Sequence, residues 1–182
     1  MALSKIDVAN MLTGTIPVDN SKSGSILQVQ STLLTSAHTQ TISSATDTDV
    51  TGLNVTITPS STSSKILLFG RCVHEMSVNM HESQWFYRRG STKFNTGVTS
   101  GNHSVAMTVT GIGHGTDHNS TMDTADMITI DSNHNTTSAI TYHIALSHNQ
   151  GGTLYVNRVK STLDGLQYER ASSEIIAMEI KG

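Results

Sequence analysis

His114 and His118 stand four residues apart, the spacing that on a helix offers two imidazoles to one metal ion. They fall within Gly111-Ile112-Gly113-His114-Gly115-Thr116-Asp117-His118, a stretch too rich in glycine to hold a helix. His103 lies a short way upstream. In a three-fold assembly one histidine near the axis becomes three, and three imidazoles can bind a metal. Polar loop histidines are the plainer reading, and no metal or cofactor is assigned. The same glycines suggest a phosphate cradle, but no Lys-Ser/Thr pair follows and no parallel strand–helix unit surrounds them.

Asp117, Asp123, Asp126 and Asp131 could supply the two carboxylates that glycoside cleavage needs across a cleft. No motif fixes any pair of them. Serines are too many for a Ser-His-Asp set to be chosen without geometry. Trp85, Tyr87, Arg88 and Arg89 could form a sugar-stacking patch, since strand alternation puts Trp85, Tyr87 and Arg89 on one face. Core packing is the simpler role for those aromatics. Asn-X-Thr/Ser sequons such as those at Asn54, Asn119 and Asn135 are expected by chance among so many hydroxyl residues. Cys72 is the single cysteine and sits in an apolar run, so it reads as a buried small hydrophobe. No catalytic residue is assigned, and a non-enzymatic role is expected.

Composition narrows the class further. Only 14% of the 182 residues are charged, against roughly 25% in an average domain. Ser and Thr, about a quarter of the chain, take their place, and these residues favour strands and turns. A net charge of −3 gives no basic footprint for nucleic acid. No run approaches the ~18 apolar residues of a membrane span. The N-terminal Met1-Ala2-Leu3-Ser4-Lys5-Ile6-Asp7 lacks a signal-peptide core, so synthesis and retention in a cytosol are expected.

The elements that would position these groups are strands. Leu53, Val55 and Ile57 alternate with polar neighbours, as do Val105, Met107 and Val109, and Ile140, Tyr142, Ile144 and Leu146. Ile26 to Gln30, Met127 to Ile130 and Leu154 to Val159 read as further strands. Gln84 to Arg89 ends at Gly90 and opens a hairpin. Lys65-Ile66-Leu67-Leu68-Phe69 has no polar alternation and is expected to be buried on both faces. Glu174 to Ile180 is apolar on both faces, so it belongs in the middle of a sheet with one face toward another subunit. Nine to eleven short strands imply a sandwich or barrel. Residues 1–24 differ: Leu3, Ile6 and Leu12 form a weak helical stripe, then Ile16, Pro17 and Val18 run extended into a Ser/Gly link. They read as an anchor segment, with residues 25–182 as one head domain.

Leu12-Thr13-Gly14-Thr15-Ile16-Pro17-Val18 resembles a connector common in phage tail fibres. Val50 to Pro59 followed by Ser63 to Leu67 is similar to a domain of marine phage fibre and tail proteins. So are Leu154 to Arg158 and Arg170 to Ile180. The resemblance implies an antiparallel jelly-roll sandwich like the C1q and TNF heads, usually trimeric, within a virion assembled in the host cytoplasm. It leads us to expect a homotrimeric fibre or knob module for host attachment. Leu3, Ile6, Leu12, Ile16 and Val18 would hold other virion proteins of head, portal or tail, without membrane insertion. A capsid or tail decoration or adaptor protein with no receptor binding is the alternative. If every strand reverses direction, the loops at 160–171, 131–137, 99–102 and 75–82 share a distal end, and those at 148–152 and 113–123 face the base. Asn133, His134, Asp164 and Gln167 are then the expected contacts with a host-surface glycan or protein.

Overall fold

The computed structural model describes residues 21–78, 82–111, 120–166 and 168–182. Eleven strands and no helix occur among the described residues. They are β1 (Ile26–Leu34), β2 (His38–Ile42), β3 (Thr48–Ile57), β4 (Lys65–Met76), β5 (Ser83–Arg89), β6 (Thr92–Lys93), β7 (Thr108–Thr110), β8 (Asp123–Asp131), β9 (Ile140–His148), β10 (Gly152–Val156) and β11 (Ser173–Ile180). All named strand pairs are antiparallel. The expected anchor, including Leu3, Ile6, Leu12, Ile16 and Val18, lies outside the described residues, as do His114, His118 and Gln167.

The pairing is nested. β5 pairs β7, β4 pairs β8, β3 pairs β9 and β1 pairs β11. A long hairpin rolled on itself has this pattern. One sheet runs β1-β11-β4-β8 and the other β3-β9-β5-β7, with β6 beside β5. Their inner faces meet in one core, because the period-two alternation sends every second side chain inward. Leu53, Val55 and Ile57 from β3, Ile66, Leu68 and Cys72 from β4, Trp85 and Tyr87 from β5, and Tyr142, Ile144 and Leu146 from β9 are buried together. Burying each large apolar side chain contributes roughly 1.5–3 kcal/mol. Gly70 has a packing reason: a Cβ there would run into the Tyr87 hydroxyl, which crosses the core to donate to the Met127 carbonyl at 3.0 Å.

β4 organises the first sheet. β8 covers one of its edges from Ile66 to His74. The other edge carries two strands end to end: β11 pairs with residues 65–71 and β10 with residues 74–76. β1 and β2 line up outside them in the same way. Asn157 stitches the joint. Fully buried, it takes a left-handed φ of 57° where β10 ends, a conformation asparagine tolerates better than most residues. Its Nδ2 donates to the carbonyls of Leu34 and Ser36 at 2.8 and 3.1 Å, and its Oδ1 accepts from the Ser173 hydroxyl at 2.6 Å. Its backbone N–H donates to the Val73 carbonyl at 2.9 Å.

Two expectations need correcting. β10 and β11 both run antiparallel to β4, so they point the same way and the assumed reversal between them is missing. The run Lys65 to Phe69 is not buried on both faces of this chain, because Phe69 is 38% exposed and points away from the core. Asn157→Ala should lower unfolding free energy by about 1–3 kcal/mol, since it leaves two part-buried carbonyls and a buried hydroxyl without their partner. Asn157→Gly should lose about 1 kcal/mol less than alanine, because glycine accepts the positive φ. Urea titrations of both variants check the order.

Candidate functional site

The missing reversal decides which loops share a pole. The end of β8 pairs with the start of β4, at Asp131 and Ile66, and the end of β11 lies there too, with Ile180 opposite Lys65. Residue 24 enters at the same place: Gly24 donates to the Lys181 carbonyl at 2.8 Å, and Lys181 donates to that of Ser25 at 2.9 Å. This pole, the base, therefore holds the chain entry, the 58–64 turn and the 132–139 loop. The far pole holds the loops at 43–47 and 149–151, while the 157–172 loop leaves the sheet beside Arg71 to His74 of β4, nearer that pole than the base.

The predicted contacts Asn133 and His134 thus lie at the base, while Asp164 lies in the 157–172 loop, away from it. Asn133 is exposed and its N–H donates to Asp131 Oδ1 at 3.0 Å. His134 is not available for binding: it is 6% exposed, with ring nitrogens 2.8 Å from the Ser64 carbonyl oxygen and 3.0 Å from that of Thr136. It holds the 132–139 loop to the 58–64 turn. Asp164 is exposed beside Leu163 and Leu166, two apolar side chains that also face water.

The candidate chemical groups resolve into structural ones. Asp131 is buried, accepts from Arg89 Nη1 at 2.6 Å and from the Tyr142 hydroxyl at 2.8 Å, and so ties the sheets together near the base. Burial first, then the Asp131 charge, raises the Tyr142 pKa. Asp123 accepts from the Gly111 N–H at 3.1 Å. Asp126 is exposed on β8. Trp85 and Tyr87 are core residues, and Arg88 pairs with Asp49 at 2.8 Å on the outer side. Burial pushes the Cys72 thiol up to about 12, which keeps it protonated and unreactive. His103 is exposed, and no metal-holding group of His, Cys, Asp and Glu occurs among the described residues.

Two buried polar clusters escaped sequence reasoning. His74 is enclosed, its ring 4.4 Å from that of Trp85. Its Nδ1 meets the Cys72 carbonyl at 3.2 Å, so it carries the proton and Nε2 accepts from the Thr110 hydroxyl at 2.9 Å. That hydroxyl accepts from Trp85 Nε1 at 2.8 Å. Burial holds the His74 pKa down to about 4. Glu179 is buried at the base and accepts from Gln28, from the Ser60 N–H and from the Ser60 hydroxyl. Burial alone would raise its pKa, but hydrogen bonds from Gln28 and Ser60 outweigh it and hold the carboxyl below its usual range.

The largest unexplained feature is the outward face of the first sheet. Register aligns its side chains into rows across β1, β11, β4 and β8. One row is Ser31, Ile176, Phe69 and Ile128, and the next is Val29, Met178, Leu67 and Ile130. Ile128 is 62% exposed and Val29 50%. Leu33, Glu174, Arg71 and Asp126 form the row toward the far pole, and Ile26, Ile180 and Lys65 the row toward the base. Between Phe69, Ile128 and Ile176 lies a depression of about 440 Å³.

The sequence matches no family model and no curated relative. Geometry therefore carries the functional reading: a two-sheet sandwich with two distinct poles and one apolar outer face.

Acid should weaken this structure. The unfolded chain binds a proton at His74 near pH 6.5, whereas the folded chain does so only near 4. Between those values the unfolded state holds more protons, so stability falls as pH drops, by on the order of 3 kcal/mol from this group. Glu179, with its lowered pKa, adds a further loss below about pH 4.5. Thermal melts from pH 7.5 to 4 should show the decline, and His74→Gln should flatten it above pH 5.

Proposed function

We propose that the protein is a bacteriophage virion component, a homotrimeric jelly-roll head held at its base and presenting its far-pole loops to the host surface. The observation that carries the reading is the polarity of the sandwich. Chain entry and the C-terminal Lys181 share one pole, where Gly24 and Lys181 are hydrogen-bonded. The 157–172 loop, with exposed Leu163, Asp164 and Leu166, leaves the first sheet between Arg71 and His74 of β4, nearer the other pole than the base. A module attached at one end has its opposite end free for recognition.

The jelly-roll assignment is supported by the nested pairing and by the strand orders β1-β11-β4-β8 and β3-β9-β5-β7. Trimerisation is supported by the apolar outward rows, which a lone sandwich would leave wet. Three copies on one axis would also turn three weak loop contacts into one avid attachment. The low charge density suits a projecting particle surface. The anchor remains the segment 3–18, whose apolar residues contact other virion proteins in this reading.

The test is whole particles. Immunogold labelling with an antibody against residues 160–166 should mark projections with that loop outermost. Asp164→Ala combined with Leu166→Ala should reduce host adsorption at least tenfold without changing particle assembly, while Asn133→Ala at the base leaves adsorption unchanged. Particles without label would remove the virion assignment. Labelled particles with unaltered adsorption would make the protein a decoration or adaptor.

A further inference from the structure

We propose that the outward side of the second sheet carries a pocket for one neutral hexose, the terminal unit of a host-surface polysaccharide. The inference rests on the attachment role proposed above and names its ligand class and its site.

The pocket is assembled from three parts of the chain. Gln84 on β5 and Ser147 on β9 are register partners, and alternation turns both outward because the next pair, Trp85 and Leu146, points into the core. They line the sheet side of a cavity of about 270 Å³. The far-pole loops supply one wall through Asp47 and Asn149, and the segment between β6 and β7 supplies another through His103 and Ser104. That segment is pinned at both ends. Asn95 Nδ2 donates to Thr129 Oγ1 at 2.8 Å and to the Ile130 carbonyl at 2.9 Å, and the Met107 N–H donates to the Trp85 carbonyl at 2.8 Å. In the 43–47 loop the Ala45 N–H donates to the His148 carbonyl at 2.9 Å, and Ala45 holds a left-handed φ of 50°. Few residues with a Cβ adopt that backbone, and such positions cluster where a surface must keep its shape for a ligand. The walls are fixed before a ligand arrives, as is usual for small-molecule sites.

The lining selects the ligand. Among the described residues, the side chains of Thr99, His103, Ser104, Ser147 and Asn149 line the pocket without a hydrogen bond to the protein. Hydroxyl, amide and imidazole groups offer donors and acceptors together, which suits a ligand whose every hydroxyl does the same. The charged lining residues cancel. Lys93 Nζ lies 2.7 Å from Asp47 Oδ1 and 4.0 Å from the centre of the Phe86 ring. A phosphate or carboxylate ligand would meet the Asp47 charge, and a cation would meet Lys93, so each charged class is opposed. A sugar ring carries no charge, and its C–H face can pack on Ala45 and Val105. Volume sets the number of rings. The cavity equals roughly nine water volumes, room for one hexose but not two, so the rest of a polysaccharide would lie outside.

The experiment is saturation-transfer difference NMR on the full chain with glucose, galactose, mannose and N-acetylglucosamine, and with glucuronate as the charged counterpart. At least one neutral sugar should bind with a Kd on the order of 1 mM, the range open to so small a ligand, and glucuronate at least tenfold more weakly. Ser147→Phe and Ser104→Phe fill the pocket from the sheet and from the wall, and each should weaken binding at least tenfold in protein that circular dichroism shows to be folded. Should Ser147→Phe unfold, Ser104→Phe decides alone. Asn133→Ala, at the base, should bind as wild type does. Asp47→Asn removes the charge that opposes anions and should tighten glucuronate at least tenfold. No neutral sugar bound well above 1 mM, or binding unchanged in a folded pocket-filled variant, overturns the site and leaves the attachment role to the adsorption test on whole particles. Glucuronate bound as tightly as the neutral sugars, or unaffected by Asp47→Asn, overturns the neutral class. Wild-type protein should also be retained on polysaccharide extracted from the cells used for adsorption, and the sugar it binds should elute it. Sugar binding without such retention overturns the polysaccharide source but keeps the pocket.

Discussion

Everything in the first sheet depends on β4 having to satisfy two edges along twelve residues. Each buried amide and carbonyl along it needs a partner. β8 is long enough to cover one edge, but β11 ends its pairing at Arg71. The remaining edge is completed by β10, delivered from another part of the chain. Two strands in line leave a gap in the ladder, and that gap is a buried break. Asn157 and Ser173 fill it together: the Asn157 N–H donates to the Val73 carbonyl and the Ser173 hydroxyl accepts from the Val73 N–H. The Asn157 side chain fastens this pair to Leu34 and Ser36 at the end of β1 while its backbone turns left-handed.

The same joint sets the direction of the molecule. Because β10 and β11 run alike, the loop between them does not return the chain to the base. The 157–172 segment stays near the far pole and the 132–139 loop falls to the base. Buried polar groups then lock each pole separately. Asp131, His134 and Glu179 fasten loops at the base, and the His74–Thr110–Trp85 chain of hydrogen bonds joins the two sheets toward the far end. The two ends of the scaffold are therefore pinned independently.

Much of this was legible in the chain because period-two alternation reports burial directly. Leu53, Val55 and Ile57, or Ile140 to Leu146, can be read as one inward face without any tertiary information. The central place of β11 followed from its two apolar faces and is what the register has, between β1 and β4. β2 was missed, since His38-Thr39-Gln40-Thr41-Ile42 has only Ile42 buried and pairs on an outer position. The misassigned pole has a different origin. Strand direction is a property of pairing, and no residue between Val156 and Ser173 signals that a reversal is absent. His134 looked like a loop contact because nothing local shows that the Ser64 carbonyl waits for it. The one available clue to the joint was Asn157 itself, an asparagine at the end of an apolar strand, where left-handed backbone is often found.

The clasp between Gly24, Ser25 and Lys181 brings the chain's entry and exit within hydrogen-bonding distance. Topologically the sandwich is therefore almost a closed ring of backbone, and its pairings do not depend on where that ring is cut. A short bridge across the clasp, with the covalent opening moved to the exposed stretch at Leu163, would preserve every strand partnership while carrying both chain ends away from the base.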